Sequence, residues 1–188
     1  MKTRLLAATC AALLFLTACG SDDDSTSAVG GSTGGDGSVT KGSVLDRVSS
    51  CDQVESVVAP YVSALVLTEG STVDEWGVSC DWEMAEGETD MANNRSVSVA
   101  IVDNEEGDEA PDTSLVAKQE GYAAVDDPWV AEQGGVAYSY SLGTAVAGVI
   151  VTTIWLPHAE INITGGTWGD YPALDGPAAV GVAKKLLG

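Results

Sequence analysis

The groups in this 188-residue chain that could do chemistry are few in kind: four thiols (Cys10, Cys19, Cys51, Cys80), one imidazole (His158), and 28 Asp and Glu against 8 Lys and Arg. His158 is the one candidate for the base of a Ser-His-Asp arrangement. It follows Pro157 at an expected turn, and no Gly-x-Ser-x-Gly elbow occurs anywhere. It therefore reads as an exposed turn histidine. Paired carboxylates could do acid–base work, but acids are spread so widely that their abundance singles none out. Asp126-Asp127-Pro128-Trp129 is a compact acid–aromatic cluster that turn chemistry explains. The acidic stretch Asp103–Asp112 invites a calcium loop. Placing Gly107 sixth puts Val102 first, so the EF-hand pattern fails and only a looser cation site is left. Cys51 and Cys80 with one remote histidine do not make a zinc site. No catalytic residue, metal or cofactor is assigned, and the chain is read as a non-enzyme, with a carboxylate-based hydrolase as the least favoured alternative.

Cys19 has its own context. Lys2 and Arg4 precede the uncharged run Leu5–Leu16, and Thr17-Ala18-Cys19 follows, which is the order of a secretory signal. The run falls well short of the roughly 20 apolar residues a membrane span needs. Leu16-Thr17-Ala18-Cys19 resembles the bacterial lipobox, Leu-x-[Ala/Gly]-Cys. The resemblance implies that residues 1–18 are a cleaved signal peptide and that the Cys19 thiol receives a diacylglycerol. Cys19 is then the first mature residue and the lipid anchor, on the extracytoplasmic face of the cell membrane. Each buried methylene adds about 0.8 kcal/mol, so two acyl chains hold far better than one. Losing Lys2 and Arg4 takes the formal charge from −20 to −22. A surface this acidic repels nucleic acid and anionic headgroups, which excludes nucleic acid as a partner and weakly favours cationic ones. Its plainest use is solubility.

Residues 19–42 comprise the lipidated cysteine and a Gly/Ser/Asp tether that is expected to be disordered, with a coil length of roughly 25 Å. Residues 43–188 are expected to form one domain with a single core. With Cys10 lost with the signal and Cys19 lipidated, Cys51 and Cys80 remain in an oxidising compartment, and an even pair there reads as a disulfide. Closing that loop stabilises the fold by roughly 3.5 kcal/mol in the chain-entropy estimate and ties the first helix to the first strand.

These residues also carry a family resemblance. The chain resembles actinobacterial exported lipoproteins that bear a domain of unknown function. It shares their lipobox at Cys19, their polar tether, a cysteine opening a helix (Cys51 in Ser49-Ser50-Cys51-Asp52-Gln53-Val54), a Cys-x-Trp strand (Cys80-Asp81-Trp82) and a closing amphipathic helix, Ala178–Leu187. It departs from them in having Ser50 where they have proline and Asp52-Gln53 where they have a leucine pair. The resemblance implies an α+β domain, similar in outline to small lipoproteins of the photosystem-accessory and Ran-binding accessory fold type, with no catalytic residues.

The elements that must position these groups follow from periodicity. Val44 to Ala59 has helical spacing that Pro60 is expected to break. Ser71 to Met84 has strand character with a bulge at Gly77. Arg95 to Val102 alternates, with Val97, Val99 and Ile101 on one side, and the long loop before it makes a hairpin with the preceding strand. Pro111-Asp112 looks like a helix start for Thr113 to Tyr122. Val136, Tyr138, Tyr140 and Leu142 share one side of a strand, and Ala145 to Leu156 reads as a central strand buried on both faces. Ala159, Ile161 and Ile163 point inward from the next strand. The last helix buries Ala179, Val182, Ala183 and Leu186 and ends on Lys184 and Lys185. Short turns between consecutive strands argue antiparallel pairing. The expected fold class is α+β: a single twisted antiparallel sheet of about five strands with helices packed on one face.

With Phe15 in the signal, Trp and Tyr carry all aromatic burial in the mature chain. Trp82 and Trp155, on strands, are expected in the core. Trp129 and Trp168, in loops flanked by Gly, Pro and Asp, are the candidates for partner or ligand contact. The function expected is that of a cell-envelope lipoprotein whose domain is a non-catalytic binding or interaction module. Its partners would be the membrane, through the lipid anchor, and an unidentified envelope protein or small ligand. The alternative is a carrier or sensor of a small apolar molecule held between sheet and helices.

Overall fold

The computed structural model describes residues 43–90, 94–104, 108–114, 116–143 and 147–188. The signal segment, Cys19 and the tether lie outside the described residues, as do residues 105–107 of the acidic stretch.

The first helical run divides into α1 (Ser43–Arg47) and α2 (Cys51–Val62). Ser50 is extended, and its Oγ accepts the Gln53 N–H at 3.3 Å. The Gln53 side chain reaches back: its Oε1 accepts the Ser49 N–H at 2.9 Å and its Nε2 donates to the Arg47 carbonyl at 2.6 Å. Side chains thus satisfy donors that a helix start leaves without partners, which is the reason the helix restarts here. Pro60 does not end α2 as expected. It sits in the last turn, exposed, where the missing N–H forfeits a single helical bond.

The strands are β1 (Leu65–Leu67), β2 (Thr72–Asp74), β3 (Gly77–Met84), β4 (Val97–Asp103), β5 (Tyr122–Ala124), β6 (Val136–Gly143), β7 (Ala147–Leu156) and β8 (Ala159–Trp168). They form one antiparallel sheet in the order β1-β3-β4-β8-β7-β6-β5, with β2 also pairing with β3. Two further helices follow, α3 (Pro128–Glu132) between β5 and β6 and α4 (Gly176–Leu187) at the end. The α+β class holds, but among the described residues the sheet has eight strands, not five.

The additional strands β1, β2 and β5 have three residues each, too few for alternation to show. Ser71 to Met84 is not one bulged strand. Asp74 pairs with Gly77 across a Glu75-Trp76 turn, which makes a hairpin. A Cβ on Gly77 would lie 2.6 Å from the Ile101 carbonyl oxygen, so only glycine fits. Among the described residues the helix expected over Thr113 to Tyr122 does not form. One 3-10 turn, Val116–Lys118, forms there; Gly121 (φ +88°) then turns the chain, and Tyr122 pairs with Tyr140.

The core takes one alternate set from each strand. Cys80, Val99, Ile163, Thr152 and Ser139 lie in register across five strands, all buried or nearly so. Val54, Val58 and Val62 of α2 and Ala179, Val182, Ala183 and Leu186 of α4 join the same core, as do Val44 and Val48. Each fully buried aliphatic side chain contributes about 1.5–3 kcal/mol. The Cys51–Cys80 disulfide, across 29 residues with Cα atoms 5.6 Å apart, joins the first residue of α2 to the middle of β3.

Two expectations about sides need correction. β7 is interior to the sheet, yet Val149 is 39% exposed, and of residues 148–156 only 152 and 154–156 are buried. On β6 the core side is Ala137 and Ser139, not the tyrosine side. Gly176 at the start of α4 approaches so closely that its Cβ would be 3.3 Å from Ser139 Oγ and 2.5 Å from a Val125 methyl. Small residues here let α4 enter. The helices do not form the clean single layer expected, because α3 lies in the connection at the β5–β6 end of the sheet and packs on β6.

Candidate binding surface

The side of the sheet away from Cys80 and Ile163 carries the other alternate set. On β5, β6 and β7 this set is aromatic and aliphatic. Tyr122 faces Tyr140, which faces Val151; Tyr138 lies between Ala124 and Thr153; Leu142 faces Val149. The Tyr122 and Tyr138 rings stack with centroids 5.9 Å apart. Leu142 is 56% exposed and the three tyrosines are half-buried. On β2, β3, β4 and β8 the same side is polar and acidic, with Asp74, Asp81, Glu83 and Glu160. There Asn162, the asparagine of an Asn-x-Thr sequence, accepts from Thr153 Oγ1 and donates to Glu160 Oε1, each at 2.7 Å.

Trp168 is the last residue of β8, half-buried at the margin of this face. It lines a cavity of about 430 Å³ with Glu83, Met84, Ser96 and Val149. Arg95, at the same cavity, is 5% exposed. Its guanidinium carbon lies 3.6 Å from the Tyr171 ring centroid, and its terminal nitrogens donate to the carbonyls of Tyr61 and Ser63. The cation therefore clasps the end of α2 rather than facing outward.

Trp129 is not on a loop. It lies in α3, 8% exposed, within the core cluster. The carboxylate before it is consumed by capping: Asp127 Oδ1 accepts the Trp129 N–H at 2.8 Å and the Val130 N–H at 3.4 Å. Trp82 and Trp155 are buried as expected.

The indole that periodicity did not single out is Trp76, 80% exposed at the β2–β3 turn. The signal was present: Asp74-Glu75-Trp76-Gly77 is a short turn sequence between apolar residues.

His158 sits half-buried in the β7–β8 turn, where its carbonyl accepts the Asn104 N–H at 3.3 Å. Asp112 accepts the Ser114 N–H at 2.9 Å; this bond first, and the Ser114 hydroxyl second, hold its carboxyl below the ordinary aspartate value. Among the described residues no group of three or more His, Cys, Asp or Glu is placed to hold a metal ion. Among them, too, no helix is long and apolar enough to cross a membrane.

The chain matches no protein-family model, no curated protein and no solved structure.

Proposed function

We propose that this chain is a cell-envelope lipoprotein of the actinobacterial exported type. It is held through Cys19 on the extracytoplasmic face, and its disulfide-braced domain is a non-catalytic binding module that presents the open side of its sheet to a partner. The observation that carries the binding role is the register of Tyr122, Tyr138, Tyr140, Leu142 and Val149 on a side where all are half-buried or exposed. A contiguous apolar and aromatic patch on a soluble domain marks an interaction surface more often than chance, and tyrosines supply large contact area at low entropic cost. Trp168 extends the same surface at its margin. The apolar-carrier alternative has less support, because Val54, Val58, Ile161 and Ala183 already fill the layer between helices and sheet.

The test has two arms on the anchored chain. Fractionation of cells bearing Cys19→Ser should find the protein released from membranes; co-sedimentation as before overturns the anchor. Crosslinking in the intact envelope should give an adduct that Tyr140→Glu and Leu142→Glu abolish. An adduct indifferent to both overturns the face, and turnover of ester, glycoside or peptide substrates by the purified protein overturns the non-catalytic role.

A further inference from the structure

Trp76 is held out deliberately. A two-residue turn favours small or polar residues, yet here it carries an indole at 80% exposure. The turn is stiff: Asp74 Oδ1 accepts the Trp76 N–H at 2.8 Å, and Gly77 is pressed against the Ile101 carbonyl. The ring lies outside the core cluster of the described residues, so its position costs exposure without contributing to that core.

Beside it lies a groove of about 340 Å³, lined by Thr72, Asp74 and Trp76 and floored by Ala100 and Val102, the latter 44% exposed. The surroundings have one sign. Asp74 and Glu75 flank the indole, and Glu160 pairs with Val102. No strand from β1 to β8 contains a Lys or Arg.

We propose that this hairpin and groove bind an extended segment of a partner protein in which a lysine or arginine neighbours an aliphatic side chain. The cation stacks on the Trp76 indole within the field of Asp74 and Glu75, and the aliphatic group lies on Ala100 and Val102. The inference rests on the binding-module reading and names the partner's chemistry.

The test uses the full-length protein in detergent and a labelled, end-blocked peptide of alternating lysine and leucine, with a glutamate–leucine counterpart and an oligolysine of equal length. Trp76→Ala should weaken the lysine–leucine peptide by about tenfold or more while leaving the thermal midpoint unchanged. Asp74→Asn with Glu75→Gln should weaken it and flatten its salt dependence, and the glutamate–leucine peptide should not bind. Equal affinity of wild type and Trp76→Ala, or oligolysine binding as tightly as the lysine–leucine peptide, overturns the inference. Binding that survives Trp76→Ala but falls with Tyr140→Ala overturns it while sparing the binding module; indifference to both substitutions counts against the two together.

Discussion

Gly165 on β8 and Leu174, in the segment leading into α4, are in such close apposition that a Cβ on Gly165 would lie 2.6 Å from both Cβ and Cδ2 of Leu174. Leu174 is fully buried, and its N–H donates to the Gly166 carbonyl at 2.9 Å. The pair seats the chain on the sheet just before the helix starts. Gly165→Ala should destabilise by about 1–3 kcal/mol through overpacking, and Leu174→Ala by about 2–5 kcal/mol through the cavity it leaves. In the double variant the new methyl is freed of Leu174 Cγ and Cδ2 but still meets the Cβ that alanine keeps, so the combined loss should fall below the sum of the two by only part of the overpacking cost. Urea unfolding of the four proteins measures this; strict additivity would mean that the two side chains do not compete for one space.

The Cys51–Cys80 bridge should be worth about 3.5 kcal/mol, so Cys51→Ala with Cys80→Ala should lower the thermal midpoint by roughly 10 °C. Calorimetry under oxidising and reducing conditions checks it. The reductant should move the wild type down and leave the double variant where it is.

Arg95 couples three segments: the carbonyls of Tyr61 and Ser63 at the end of α2, the approach to β4, and the Tyr171 ring. Arg95→Met should cost about 2–3 kcal/mol, since the part-buried carbonyls of Tyr61 and Ser63 lose charge-assisted bonds. Arg95→Lys should restore little of it, because an ammonium offers neither the planar stack nor the paired donors. A double-mutant cycle with Tyr171→Leu should give a coupling of about 1 kcal/mol for the stacked contact; a coupling near zero would leave the ring as a bystander.

Asp112 is fully exposed, so its lowered pKa comes from the Ser114 bonds and not from burial. A depressed folded-state value means a contribution present above the ordinary aspartate range and lost as pH falls through the folded pKa. Carboxyl NMR titration should show Asp112 protonating below the ordinary aspartate value. Ser114→Ala should raise its midpoint only in part, because the backbone N–H, the larger cause, remains.

Local order in the chain carried a good deal of this structure. Val97, Val99 and Ile101, then Ala159, Ile161 and Ile163, share a side by alternation alone, and all are buried. The α4 stripe and the cysteine pair were equally legible, because each depends on spacing or on a count of thiols. Pairing across the chain was not. β1, β2 and β5 are strands only because β3 and β6 offer them partners, and the start signal at Pro111-Asp112 produced one turn because Tyr122 is drawn to Tyr140.

The tryptophans divide along the same line. That Trp129 and Trp168 lie beside Gly, Pro and Asp is a property of the chain; that Trp129 is buried and Trp76 bare is a property of what folds over them. Period-two order groups Val136, Tyr138, Tyr140 and Leu142, but cannot say whether that group or Ala137 and Ser139 meets the helices. The close approach of Gly176 on α4 settled it in favour of the small pair, leaving the tyrosines facing out. Neighbours in sequence dictate which side chains share a side, whereas burial depends on atoms that arrive from far along the chain.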